Sequence, residues 1–120
     1  MKLQIKKIID FGTYESEKVL MDVCENTELY YYILRDTTYI GNFISNKWVH
    51  SYHFAKQVVK AGDKVVLYTK SGTNSTKDLG NGKTEYIFYW GLKNSIWNNE
   101  GDAAVLYQVS AWHTVGVNKK

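Results

Sequence analysis

The scarcest side chains that could ligate a metal, attack as nucleophiles or move protons in this 120-residue chain are three histidines and one cysteine, beside twelve carboxylates. His50 and His53 lie three residues apart, a spacing that on an extended strand sends the two rings to opposite faces and makes them poor joint metal ligands. Cys24 has no histidine near it and no motif around it, so it reads as a small buried residue on a strand rather than as a nucleophile. The carboxylates, Glu17, Asp22, Asp36 and Asp63 among them, fall mainly at turns or on solvent faces, and no spacing singles out a pair for acid-base work. No Gly-x-Ser-x-Gly elbow is present, and Gly80-Asn81-Gly82-Lys83-Thr84 has too few residues between its glycines for a phosphate-binding loop. No metal, cofactor or catalytic residue is expected.

One stretch departs from the otherwise interspersed charge. Between Thr37 and Gly62 there is no acid, while Lys47, Lys56, Lys60, His50 and His53 lie among Tyr39, Phe43, Trp48, Tyr52 and Phe54. Cations interleaved with stackable rings suit a single-stranded nucleic acid, lysines meeting phosphates and rings meeting bases. The plainer reading, that the rings are core and the lysines a solvated face, is favoured because a β-domain needs such rings inside. Trp48 sits among Ser45, Asn46 and Lys47 in a segment without strand alternation. Its ring is either an exposed anchor for a protein interface or is buried under a folded-back loop.

The elements that must hold these residues are strands. Ten tyrosines, four tryptophans and four phenylalanines, with no proline, favour pleated half-buried surfaces and leave the turns to Gly, Asn, Asp and Ser. Leu3 and Ile5 alternate in an opening strand whose register shifts at Lys6-Lys7. Val19, Met21 and Val23 form one face of a strand over 18–24, and 29–34 forms another that Arg35-Asp36-Thr37-Thr38 closes. Two Gly-Asp corners, Gly62-Asp63 and Gly101-Asp102, each open an apolar run, which sets strands over 63–69 and 103–109. The step Asn81-Gly82 is a type I′ turn signal that pairs 84–90 with Leu79 or with residues before it. A weaker strand is expected over 112–117. These elements make an all-β sandwich of about seven to nine short strands in a single domain, residues 1–120.

Tyr32-x-Leu34-x-Asp36, Ala61-Gly62 with Val65, Val66 and Leu67, and Asn99, Gly101, Asp102, Val105 and Leu106 together resemble the lamin tail domain. This is an immunoglobulin-like β-sandwich found at the end of nuclear lamins and in many bacterial proteins. The family's usual Gly-Trp dipeptide is missing, and Tyr32 stands where the family has Trp. The resemblance implies a binding or structural module, here of the stand-alone bacterial type, with no catalytic residues to carry over and with Asp36, Gly62, Gly101 and Asp102 as turn-makers.

The charges scattered through the first ten residues are unlike a signal peptide, and no window reaches the roughly 20 apolar residues of a spanning helix. A soluble cytoplasmic protein with no membrane contact is therefore expected. Its function is expected to be non-enzymatic protein interaction through Trp48, Lys47, His50, Lys56 and Lys60. A weakly basic nucleic-acid-binding domain using 37–62 is the alternative, the net charge of +3 giving it mild support. Oligomeric state is left open.

Overall fold

A computed structural model describes residues 1–40, 43–44, 49–98 and 101–118. Strands β1 (Leu3–Ile9) and β2 (Lys18–Val23) pair antiparallel, and their register shifts between Ile5 and Lys7, at the place where the alternation breaks in the sequence. β3 (Thr27–Glu28) leads into a single 3-10 turn, Leu29–Tyr31, and then into β4 (Tyr32–Ile40). β5 (Phe43–Ile44), β6 (Ser51–His53), β7 (Val58–Val59), β8 (Lys64–Tyr68), β9 (Ser75–Gly80), β10 (Lys83–Tyr89) and β11 (Asp102–Gln108) follow. There is no α-helix among the described residues, and no helix long and apolar enough to cross a membrane. The strand count exceeds the expected seven to nine, because two-residue pairings such as β3 with β7 carry no alternation that a sequence can display.

One sheet has the order β1-β2-β8-β10-β9, and a second has β11-β4 with β5 and β6 both paired to β4. Their inner faces share one core. Leu3, Val19, Met21, Val65, Leu67 and Phe88 come from the first sheet, Tyr32 and Leu34 from the second, and Phe54, Ile96 and Trp97 from segments between strands. The two Gly-Asp corners open strands in different sheets, β8 and β11. Gly62 has φ +92, a left-handed value that L side chains rarely adopt, and a Cβ there would lie 2.8 Å from the Lys83 side chain. Asn81 (φ 54) and Gly82 (φ 75) are both left-handed, as a type I′ turn requires, and the turn joins β9 to β10. β10 then lies parallel to β8 with β9 on its far side, an arrangement set by contacts distant in sequence.

Several further expectations are corrected. Tyr30 and Tyr31 belong to the 3-10 turn, because the Glu28 carboxylate accepts the Tyr30 and Gln57 N–H groups and holds the chain in a turn there. Arg35, Asp36, Thr37 and Thr38 continue β4 rather than closing it, and Asp36 is a mid-strand residue rather than a turn-maker. Partners outside the local sequence make this tolerable: Tyr107 hydroxyl for Arg35 and His50 for Asp36. Cys24 is exposed, just past the end of β2. Residues 112–117 are exposed and pair with no other strand among the described residues, so they form no strand.

Glu17, placed at a turn or on a solvent face by its sequence, is fully buried. Its Oε1 accepts Gly12 N–H at 3.1 Å, and its Oε2 accepts both Thr69 Oγ1–H and Ile96 N–H, the latter at 3.0 Å. One carboxylate thus ties the β1–β2 connection, the end of β8 and the segment carrying Trp97. Asp63, also buried, accepts Lys60 N–H and Thr84 N–H and so holds the Gly62 corner against the start of β10.

Candidate functional site

Two constellations bear on function, one on each side of the β4 sheet. The first joins Asp36 of β4 to His50, just before β6. Asp36 Oδ1 accepts His50 N–H at 2.9 Å, Oδ2 lies 2.9 Å from His50 Nδ1, and Asp36 N–H donates to the His50 carbonyl at 3.2 Å. A carboxylate can only accept, so Nδ1 carries the proton and neutral His50 keeps a lone pair on Nε2. Such a pair is half of a charge-relay arrangement. No hydroxyl or thiol is hydrogen-bonded to Nε2 among the described residues, and the ring lies edge-on to Trp90 with centroids 6.3 Å apart. The pair anchors the chain entering β6 against β4.

Tyr52, on the same face as His50, packs at 5.0 Å from Phe54 and 6.0 Å from Trp90. Burial raises its phenol pKa above 10.0, partly offset by a side-chain hydrogen bond from Asn74. The folded state therefore holds the proton more tightly than the unfolded chain. Stability from this group is complete below pH 10.0 and is lost as pH rises through that value toward the folded one. Denaturant titrations on either side of pH 10.0 are expected to show a steeper loss of unfolding free energy with pH in the wild type than in Tyr52→Phe. Equal slopes would mean that the phenol is as solvated folded as unfolded.

The second constellation is a groove of about 330 Å³ on the outer face of the sheet, lined by Tyr30, Ile33, His53, Val109, Trp112 and Thr114. Local structure explains each position. The Glu28-capped turn presents Tyr30, while Ile33 and His53 face each other across the β4–β6 register, on the opposite side from core residues Tyr32 and Leu34. Val109 N–H donates to Tyr31 carbonyl at 2.7 Å, ending β11 and launching 110–118 along the groove. Trp112, 54% exposed, then meets the Tyr30 ring edge-on at 5.6 Å. His53 lies 4.6 Å from the same ring, and Lys56 Nζ sits 5.7 Å from its centroid. His53 Nε2 is 2.7 Å from Tyr30 carbonyl, which fixes the proton on Nε2 and leaves Nδ1 facing away as an acceptor when the ring is neutral. No carboxylate lines the groove.

A shallower groove of about 300 Å³ crosses the outer face of the other sheet, over Leu20, Val66 and Leu79. Two of its lining charges pair with each other, Lys64 Nζ lying 2.5 Å from Asp22 Oδ1. On the same face Tyr68 and Tyr89 stack at 5.2 Å, with Lys18 and Lys70 over the Tyr68 ring. Lys64, Asp22 and the two stacked rings thus have partners within the chain.

The residues expected to form one binding surface are dispersed. Lys56 stands at the rim of the Tyr30–Trp112 groove, His50 is bound to Asp36, and Lys60 is an exposed turn residue whose N–H donates to Asp63. His50 and His53 serve different faces, as their spacing implies. Lys47 and Trp48 lie outside the described residues. Of the expected turn-makers, Gly62 and Gly101 precede β8 and β11, and Asp102 Oδ2 accepts Asn98 N–H at 2.7 Å. Sequence reasoning missed Tyr30 and Trp112, whose positions 82 residues apart carry no signal that they meet. No three His, Cys, Asp or Glu side chains gather in a metal-binding group among the described residues.

No family model matches the chain, and neither a curated protein nor a solved structure matches it.

Proposed function

We propose that this chain is a non-enzymatic protein-interaction module, an immunoglobulin-like sandwich resembling a lamin tail domain, and that its contact surface is the Tyr30–Trp112 groove. The observation that carries this reading is the half-exposed Trp112, standing over an apolar depression on the outside of the β4 sheet. A large ring left partly in water beside Ile33 and Val109 gains most by being covered, and contact energy in protein interfaces concentrates in such rings. The groove brings together one imidazole but neither a carboxylate nor a thiol, so it offers recognition rather than chemistry. An exposed unpaired thiol at Cys24 suits the reducing cytoplasm.

A second reading, a single-stranded nucleic-acid site, draws on the meeting of Lys56 and His53 from the acid-free stretch with Tyr30 and Trp112. It is the weaker one, because the Tyr30 ring already has His53, Lys56 and Trp112 against it. Tyr30, His53 and Trp112 form one cluster, where a strand of bases needs a succession of separate platforms.

The immobilised chain and a Trp112→Ala variant, each exposed to host extract at moderate salt, separate these outcomes. A protein retained in stoichiometric amount by the wild type and lost with Trp112→Ala is the expected result. Retention of nucleic acid alone, or of proteins indifferent to Trp112, would overturn it.

A further inference from the structure

Residues 110–118 carry a β-strand pattern without a β-ladder. Trp112 and Thr114 line the groove, while Val115 and Val117 point outward at 87% and 93% exposure. After Val109 N–H meets Tyr31, no main-chain hydrogen bond is made by this segment among the described residues. Its N–H and C=O groups are thus open to a partner. Alongside lies a depression large enough for a single side chain, with Lys56 at its rim and no carboxylate among its lining residues.

From these three features together we infer that the groove takes an extended acidic peptide, which adds as a strand beside 110–118, sinks one aromatic or aliphatic side chain between Ile33, Val109 and Trp112, and sets a neighbouring carboxylate against Lys56. Strand addition uses main-chain hydrogen bonds for affinity and a pocket for alternate side chains for choice of sequence. Lys56 supplies the sign of the charge, since a basic flank would meet its ammonium with no acid in the lining to offset it. This inference rests on the module reading above and adds the chemistry of the partner.

The test pans a random dodecapeptide phage library against the full chain. The best binder is then synthesised and titrated against wild type, Trp112→Ala, Lys56→Glu and Val115→Pro. All three positions are exposed or half-exposed, and a spectrum of dispersed amide signals checks that each variant is folded. The expected consensus is an apolar residue next to Asp or Glu. Lys56→Glu should weaken binding about fivefold or more at low salt, an effect restored when the peptide's acid is changed to Lys. Val115→Pro should weaken binding by removing one ladder N–H. A consensus that depends on Trp112 but is blind to the charge at 56 overturns the acidic-peptide chemistry and leaves the module reading standing. No enriched peptide, or binding untouched by Trp112→Ala, removes both. Tighter binding of an oligothymidylate probe than of any peptide replaces both with the nucleic-acid reading.

Discussion

Glu17→Ala is expected to lower the unfolding free energy by about 3 kcal/mol, measured by urea denaturation at neutral pH. The carboxylate is fully buried and accepts from Gly12 N–H, Thr69 Oγ1–H and Ile96 N–H, so its removal strands the two buried donors, Thr69 and Ile96, where water has no ready access, while Gly12 N–H lies on an exposed loop. Each orphaned buried donor costs about 1–3 kcal/mol, though relaxation of the Gly12 loop recovers part of that. Glu17→Gln keeps the size but replaces one acceptor oxygen with an NH2 group, which must face either Gly12 N–H or the Thr69 and Ile96 donors. It should fall between wild type and alanine. A loss below about 1 kcal/mol for alanine would mean that water enters and replaces the carboxylate. Trp97, whose indole N–H has no partner among the described residues, is held by the same segment as Ile96, so its fluorescence should report the loosening.

Phe54→Ala is expected to cost about 3–5 kcal/mol, the range for truncating a fully buried aromatic residue. Phe54 N–H donates to Tyr32 carbonyl at 3.3 Å, which fixes the residue to the β4 sheet. Its ring crosses the core to Phe88 of β10 at 5.3 Å and also meets Tyr52 at 5.0 Å, both edge-to-face. The two sheets are therefore bridged by a three-ring cluster. A double-mutant cycle of Phe54→Leu with Phe88→Leu should return about 0.5–1.5 kcal/mol of coupling beyond the burial of either ring. Additive losses would mean that the rings are neighbours without specific edge-to-face attraction.

Much of the strand framework was legible because its cause is local. Alternation of Val19, Met21 and Val23 assigns the inner face of β2 with no knowledge of β8, and the break at Lys6-Lys7 marks where β1 slips against it. Gly62 and the Asn81-Gly82 pair reveal their turns because few other residues adopt positive φ cheaply. Polar residues misled for the complementary reason. Arg35-Asp36-Thr37 resembles a turn until Tyr107 and His50, distant in sequence, supply partners that let it run through a sheet. Glu17 resembles a surface acid until three donors from separate segments converge on it.

The groove marks the same boundary. The acid-free stretch displays Lys56 and His53, but the partners that make them a surface, Tyr30 and Trp112, come from a turn and from an irregular segment beyond the last strand. By itself the sequence determined an all-β chain, most of its longer strands and its sharpest corners, since side-chain period and backbone φ preference act over a few residues. Only tertiary structure decided the parallel β8–β10 pair, the burial of Glu17 and the union of Tyr30 with Trp112. Each of these depends on free energy gained when segments far apart in the chain exclude water from one another, and no neighbour in sequence records that gain.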